Sequence, residues 1–173
     1  KLFKRLMTAL LAAVLAAGML AGCSGAPAAP NTPLPSDAEA LALYQGVSET
    51  CTRYNVKTPV YAAELEPIAQ EIAEAAVIHR YYTTQPSAAV IDKAKTDVSA
   101  LADGAEYLVY DLNPYDAAAK TPLSVTSMKN TIIQKGANRM GIVIVTLTNA
   151  DTKEEVKYEC TVYARFPDAA AQE

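Results

Sequence analysis

The stretch Met140-Gly-Ile-Val-Ile-Val-Thr-Leu-Thr148 is followed by the turn residues Asn149-Ala-Asp-Thr152 and then by the alternating segment 155–166. β-Branched residues favour strands, and Asn and Asp between two such runs indicate a tight connection. The apolar alternate residues of the second run are Val156, Tyr158, Cys160 and Val162, and the polar ones are Lys157, Glu159, Thr161 and Arg165. The pattern therefore predicts a β-hairpin with one apolar face on the core and one polar face in water.

Three helices are predicted ahead of this hairpin. The first begins at Ser36-Asp-Ala-Glu39, which has the spacing of a capping box with Ser36 as the N-cap. The second begins near Pro67 and the third at Pro86-Ser87, because proline fits the first turn of a helix, and Gly104 ends the third. The residues with helical spacing are Ala40, Tyr44, Val47, Cys51 and Tyr54 in the first helix, and Leu65, Ile68, Ile72, Ala75, Ala76, His79 and Tyr82 in the second.

Strand-forming residues return after the third helix. Tyr107-Leu-Val-Tyr110 predicts a strand that stops at Asn113-Pro114. Residues 125–134 fit either a helix or a strand, and their β-branched residues favour the strand. Together the elements predict an α+β fold, in which N-terminal helices pack on a C-terminal antiparallel sheet. They form one domain over residues 36–166, followed by a disordered tail over residues 167–173.

The N-terminal region has the three parts of a signal peptide in order. Lys1, Lys4 and Arg5 precede an apolar run over residues 6–20, which ends in Leu20-Ala-Gly-Cys23. This tetrapeptide resembles the lipobox of bacterial lipoproteins, which implies that residues 1–22 are removed and that Cys23 carries a diacylglyceryl group. A spanning helix is disfavoured because the run is shorter than about 20 residues. An ordinary secretory signal, cut beside the small residues preceding Cys23, is the alternative.

The lipoprotein resemblance implies an anchor and a tether. Two acyl chains make membrane attachment stable, since each buried CH₂ contributes about 0.8 kcal/mol. Residues 23–35 are rich in proline and alanine, which favours an extended tether. The expected location is therefore the extracytoplasmic face of the cell membrane, or the outer membrane if the host has two membranes.

Charge and cysteine content restrict the partners. The formal net charge is −4, and loss of the three cations in residues 1–22 lowers it to −7. An acidic domain is a poor partner for nucleic acid. Cys51 and Cys160 remain after lipidation of Cys23. Export favours a disulfide between them, and two buried free thiols are the equally weighted alternative.

The segment Tyr110-Asp-Leu-Asn-Pro-Tyr-Asp116 lies between the predicted helices and the hairpin strands. This order resembles NTF2-like lipoproteins, some of which carry a short Asp-Pro-aromatic segment at the same point. The resemblance covers residues 65–166 and implies a curved sheet wrapped on helices around a pocket. Enzymes, ligand binders and assembly modules all use such a fold, so the fold does not fix the function.

Few residues carry catalytic chemistry. His79 is the only histidine, which excludes a multi-histidine metal site, and the seven glycines form no nucleotide-binding motif. No metal or cofactor is therefore expected, and the place of His79 on an apolar stripe favours a packed histidine over a catalytic base. The candidate ligand cleft between helix and sheet comprises Tyr81, Tyr82, Tyr107, Tyr110 and Asp111.

Three functions are compatible with these residues. The favoured one is a non-catalytic binding or accessory domain, held at the membrane, for a small molecule, a peptide or an envelope component. The second is an interaction module that forms a homodimer through its sheet. The third is a hydrolase or isomerase that uses Asp111, Asp116 or His79.

Overall fold

The structure, a computed structural model, describes residues 33–118 and 128–167. The predicted signal peptide, the predicted lipidation site Cys23, most of the predicted tether and the predicted tail after Pro167 lie outside these residues. Within the described ranges, no helix combines the length and the apolar character that are needed to cross a membrane.

The described chain has an α+β fold, as the sequence predicts. The helices are α1 (Ala38–Arg53), α2 (Glu66–Glu74), which follows a 3₁₀ turn (Ala63–Leu65), α3 (Ala88–Leu101) and a π-helical segment (Met128–Gln134). The strands are β1 (Val60–Tyr61), β2 (Val77–Ile78), β3 (Thr83–Thr84), β4 (Glu106–Pro114), β5 (Arg139–Thr148) and β6 (Glu155–Arg165).

The main sheet has the strand order β1-β5-β6-β4. The predicted hairpin is confirmed, because β5 and β6 pair antiparallel from Arg139↔Ala164 to Thr148↔Glu155. Strand β4 pairs antiparallel with the other side of β6, with a bulge between Tyr107 and Val109. The prediction of a purely antiparallel sheet is incomplete, since the short β1 joins β5 in parallel.

Helices cover both faces of this sheet. On one face, Val47 of α1 packs with Met140, Ile142 and Tyr163. On the other face, α2 and α3 pack against Cys160, Val162 and Ala164, with Leu65 and Ile72 at the centre.

The polar alternate residues of β6 are therefore not all in water. Glu159 is 6% exposed and Thr161 is 2% exposed. The prediction of a solvated second face is wrong at these positions, because that sheet face also receives α1 and Ile132. The NTF2-like cone is not confirmed.

A single glycine lets α2 approach the sheet closely. Gly141 of β5 lies opposite Leu65, and a Cβ atom at Gly141 would come within 2.5 Å of the Leu65 Cβ and 2.9 Å of its carbonyl carbon. The absence of a side chain at this position is thus a packing requirement of the α2 face.

Helix α1 begins one residue later than the capping-box pattern predicts. Asp37 is the N-cap, and its Oδ1 accepts a hydrogen bond from the Ala40 N–H at 2.8 Å. Glu39 pairs instead with Lys157 of β6 at 2.8 Å. The predicted inward face is otherwise correct, except that Tyr54 lies beyond the helix and is 46% exposed.

Helix α2 is shorter than predicted. It ends at Glu74, so the predicted stripe that continues through His79 to Tyr82 is wrong. Val77 and Ile78 instead pair with Thr84 and Thr83 as a two-stranded ribbon. Val, Ile and Thr are β-branched, and their strand preference prevails here over the helical spacing.

The strand favoured for residues 125–134 is also wrong where the structure describes it. Residues 128–134 are helical, and Thr131 and Ile132 are buried. Ile132 packs into the α1 face of the core, so a tertiary contact overrides the β-propensity of this segment. Helix α3 starts as predicted, with Ser87 as its N-cap, but it ends at Leu101 with Ala102 as the C-cap. Gly104, predicted to end the helix, lies three residues beyond it in the left-handed conformation at φ +77°.

The two described cysteines are free thiols. Cys51 belongs to the α1 face of the core and Cys160 to the α2–α3 face. The sheet itself separates them, so of the two equally weighted alternatives the structure has the free thiols rather than the disulfide.

Candidate functional site

The five residues of the predicted cleft do not come together. Tyr81 and Tyr82 are 84% and 63% exposed in the connection between β2 and β3. Tyr107 and Tyr110 lie on β4 and pack toward α2 and α3. Asp111, the next residue, points to the opposite face with Val109. The early end of α2 and the alternation along β4 account for this separation.

The first feature with a defined geometry is the tyrosine turn, which comprises residues 79–82. The His79 N–H donates to the Tyr82 carbonyl at 2.8 Å, which closes the turn between β2 and β3. The His79 and Tyr82 rings stack with centroids 4.5 Å apart, and the Arg80 guanidinium lies 5.4 Å from the centroid of the Tyr81 ring. The turn therefore presents two tyrosines and an arginine to solvent in a fixed arrangement.

Asp151, in the turn between β5 and β6, holds the tyrosine turn in place. Its Oδ1 lies 3.2 Å from His79 Nδ1, and its Oδ2 accepts from the Arg80 N–H at 3.1 Å. The adjacent Ala150 N–H donates to the Ile78 carbonyl at 2.7 Å. The hydrogen bonds from Arg80 and His79 lower the pKa of Asp151, because they favour its carboxylate form.

The position of Asp151 follows from Asn149. Asn149 is buried, and its side-chain oxygen accepts from the N–H groups of Asp151 at 2.9 Å and Thr152 at 3.0 Å. This is the local bonding that makes Asn a turn residue. The sequence predicts a turn here, but the long-range contact between Asp151 and His79 leaves no periodic signal.

The residues of the hydrolase hypothesis lie in separate places. His79 contacts Asp151 and Tyr82, whereas Asp116 accepts from the Ala118 N–H at 2.8 Å within its own turn. Asp111 lies on the α1 face of β4. The His79–Asp151 pair has the form of a base and its orienting acid, but its contacts serve to join two turns.

A second feature is a pair of carboxyl groups on the α1 face of the sheet. Asp111 on β4 and Glu159 on β6 are diagonal neighbours, two positions apart in the register, since Asp111 lies opposite Thr161 and Asn113 opposite Glu159. The pKa of Glu159 is raised to about 7, chiefly because the group is buried; a hydrogen bond from Asn113 opposes this shift and the nearby Asp111 adds to it. Burial likewise raises the pKa of Asp111, which Lys135 opposes.

Sequence reasoning missed Glu159 because it placed this residue on a solvated strand face. The available signal was the β-branched run of β5, whose two faces are both apolar and thus typical of a strand covered on both sides. Among the described residues, no group of three or more His, Cys, Asp or Glu side chains could hold a metal ion. The pair is therefore best described as a buried titratable site.

No protein-family model matches this chain, and comparisons with curated proteins and with solved structures give no match either. The tyrosine turn and the Asp111–Glu159 pair are thus the features from which a function can be inferred. Of these two, only the tyrosine turn is accessible to a large partner.

Proposed function

We propose that this protein is a membrane-anchored bacterial lipoprotein whose extracytoplasmic domain binds a protein or peptide partner without catalysis. Cys23 carries the lipid, residues 23–35 space the domain from the membrane, and the tyrosine turn is the contact surface. The observation that carries the proposal is the exposure of Tyr81 and Tyr82, 84% and 63%, on a turn that is held by its own hydrogen bond and by Asp151.

The residue types of the turn favour a protein partner. Tyrosine and arginine are enriched among the residues that contribute most to protein–protein binding. A tyrosine ring offers a large contact area and has few rotatable bonds, and its hydroxyl accepts or donates a hydrogen bond at the rim. Tyr81, Tyr82 and Arg80 supply these properties on adjacent positions.

The rigidity of the turn reduces the entropic cost of binding. An immobilised side chain costs about 0.5–1.5 kcal/mol on association, and this cost falls when the free protein already holds the bound geometry. Stacking of Tyr82 on His79 and the two hydrogen bonds to Asp151 provide such preorganisation. A projecting turn also suits a large partner better than a small ligand, which requires a concave site.

A peptide library displayed on phage tests this surface. The library is panned on the full chain, and the selected peptides are measured by titration against the double variant Tyr81→Ala, Tyr82→Ala. We expect binding to weaken by about tenfold or more, as for the loss of a dominant aromatic contact. Tyr54→Ala is the matched control, because Tyr54 is an exposed tyrosine after α1. Equal binding of all selected peptides to the double variant would reject the tyrosine turn as the contact surface.

The anchor requires a separate test. We expect the wild-type chain to fractionate with membranes and its mature N-terminus to be a diacylglyceryl cysteine by mass spectrometry. Cys23→Ser removes the sulfur that accepts the lipid and should release the protein from the membrane. Membrane retention of an unmodified Cys23→Ser protein would contradict the lipoprotein assignment without affecting the peptide result.

A homodimer through the sheet is the second candidate function. Strand β4 ends the sheet order, and among the described strands only β6 pairs with it. An edge strand offers unpaired backbone groups to a second chain, and β4 carries the partly buried Leu108, Val109 and Leu112. Light scattering across a concentration series decides this point, because a strict monomer at high concentration excludes the dimer.

A further inference from the structure

A groove lies at the end of the sheet where β5 begins and β6 ends. It consists of an inner cavity of about 150 Å³ and an adjoining outer cavity of about 530 Å³. The two share Lys57, Gly136 and Asn138 in their walls. We call the combined space the basal groove. It is separate from the tyrosine turn, which is held by the connection that follows β5.

The inner cavity has apolar walls. Val56, Ile132 and Ala137 line it, and all three belong to the α1 face of the core or pack against it. An apolar cavity of about 150 Å³ is large enough to hold benzene. The inner cavity therefore suits an apolar group of that size.

The outer cavity has a cationic rim. Lys57 and Arg165 line it, and Arg165 pairs with Glu106. Lys57 forms no ion pair with any residue in the described ranges. These cations lie on a chain whose formal net charge is −4. The net negative charge of the protein repels anions in general, but the cationic rim attracts them locally. The rim therefore favours an anionic ligand at this site.

The walls of the groove are held by backbone-directed hydrogen bonds. The Asn138 side chain donates to the Phe166 carbonyl at 2.7 Å and accepts from the Phe166 N–H at 2.8 Å. Its own carbonyl accepts from the Val60 N–H at 2.9 Å. Gly136 takes the left-handed conformation at φ +71°, which a side chain would disfavour. The space is thus preformed by the fold.

We infer that the basal groove binds a small amphiphilic carboxylate, with a benzene-sized apolar group in the inner cavity and the carboxylate at Lys57. The same chemistry occurs in a free aromatic acid and in the C-terminal residue of a peptide. The groove shares no residue with the tyrosine turn, so a failure of this proposal would not affect the proposed function, and the reverse also holds.

Protein-observed NMR of the full chain in non-ionic detergent tests the site. The probe is 3-phenylpropanoate, and the neutral control is 3-phenylpropanamide, which has the same ring and chain. We expect saturable shifts of the Ile132 and Ala137 methyl signals with the acid, and affinity about tenfold weaker for the amide, because the charge-assisted contact is lost. Tighter binding of N-acetylphenylalanine would assign the site to a peptide C-terminus rather than to a free acid.

Three variants locate the ligand. Lys57→Met keeps an unbranched side chain but removes the charge, and it should weaken the acid about tenfold while leaving the amide unchanged. Ala137→Phe should abolish binding by filling the inner cavity, and Val56→Phe serves the same purpose if the buried Ala137 variant does not fold. Lys95→Met, on the exposed face of α3, is the matched control. Equal affinity for acid and amide, or unchanged binding to folded Val56→Phe and Lys57→Met, would overturn the inference.

Discussion

The two faces of the central sheet have opposite chemistry, although each is covered by helix. The α2–α3 face presents Cys160, Val162 and Ala164 of β6, all of which are fully buried. The α1 face of the same strand presents the buried Glu159 and Thr161, each between an isoleucine of β5 and a polar residue of β4. The first face gains its stability from close packing, whereas the second accepts the cost of a buried carboxyl group. Four predictions test this difference.

Gly141→Ala should have the largest effect, because it breaks the close packing of the α2–α3 face. The new Cβ would lie 2.5 Å from the Leu65 Cβ and 2.9 Å from its carbonyl carbon, so α2 or β5 must shift. We expect the free energy of unfolding, from urea denaturation, to fall by about 3 kcal/mol or more. Thr146→Ala, at an exposed position of the same strand, is the control. A loss within about 0.5 kcal/mol of the control would show that this face is not closely packed.

Glu159→Gln should have the next largest effect, and with the opposite sign. The pKa of Glu159 is raised from 4.5 to about 7 in the folded state, so the folded protein binds a proton that the unfolded chain releases between these pH values. The free energy of unfolding should therefore decrease by roughly 3 kcal/mol as the pH rises from about 4.5 to about 7. Because the raised pKa of Asp111 acts in the same direction, the wild-type loss extends to lower pH.

The matched measurement is the unfolding free energy of both proteins at several pH values. Glutamine cannot ionise, so Glu159→Gln should remove most of this pH dependence and be more stable than wild type above pH 7 by about 1–3 kcal/mol. At pH 4 the two proteins should be nearly equal. A wild-type stability that rises between pH 4.5 and 7, or a variant with the same slope as wild type, would contradict a buried, raised Glu159.

The hairpin could be predicted from the sequence because its information is local. Alternation over residues 155–166 and the turn residues before them fix the register of β5 and β6 without reference to the rest of the chain. The start of helix α3 could be predicted for the same reason, since Pro86 and Ser87 directly precede the helix in the sequence.

The second covered face could not be predicted in the same way. Glu159 and Thr161 are polar residues, and the alternation along β6 gives no sign that α1 packs over this side of the sheet. The segment after α2 was predicted wrongly for another reason, because Ala75, Ala76, His79 and Tyr82 continue the helical spacing. The β-branched Val77 and Ile78 between them favour the strand that the structure shows. The predicted cleft depended on the second sheet face and on the length of α2. Because both were predicted wrongly, sequence reasoning found Tyr81, Tyr82 and Asp111 but grouped them incorrectly.

The two buried cysteines offer a matched probe of the two faces. Burial raises the pKa of Cys51, and it raises the pKa of Cys160 to about 12, so neither thiol should react with a thiol reagent in the folded protein at pH 8. Cys51→Ala and Cys160→Ala should each lower the unfolding free energy by about 1–2 kcal/mol. The double variant should show the sum within about 0.5 kcal/mol, because the sheet separates the two sites. A coupling clearly larger than this would mean that the two faces share one deformable core.

The smallest predicted effect concerns the start of α1, which covers the carboxyl face. Asp37→Ala removes the side chain that accepts the Ala40 N–H, and the unfolding free energy should fall by about 1 kcal/mol. Ser36→Ala is the matched neighbour and should be nearly neutral, because Asp37 rather than Ser36 is the N-cap. If Ser36→Ala is the more damaging of the two, α1 begins at the capping box that the sequence suggests. Helix α1 would then be shifted by one residue relative to the sheet face that carries Glu159, and the measured pH dependence of Glu159→Gln would have to be interpreted with the shifted helix.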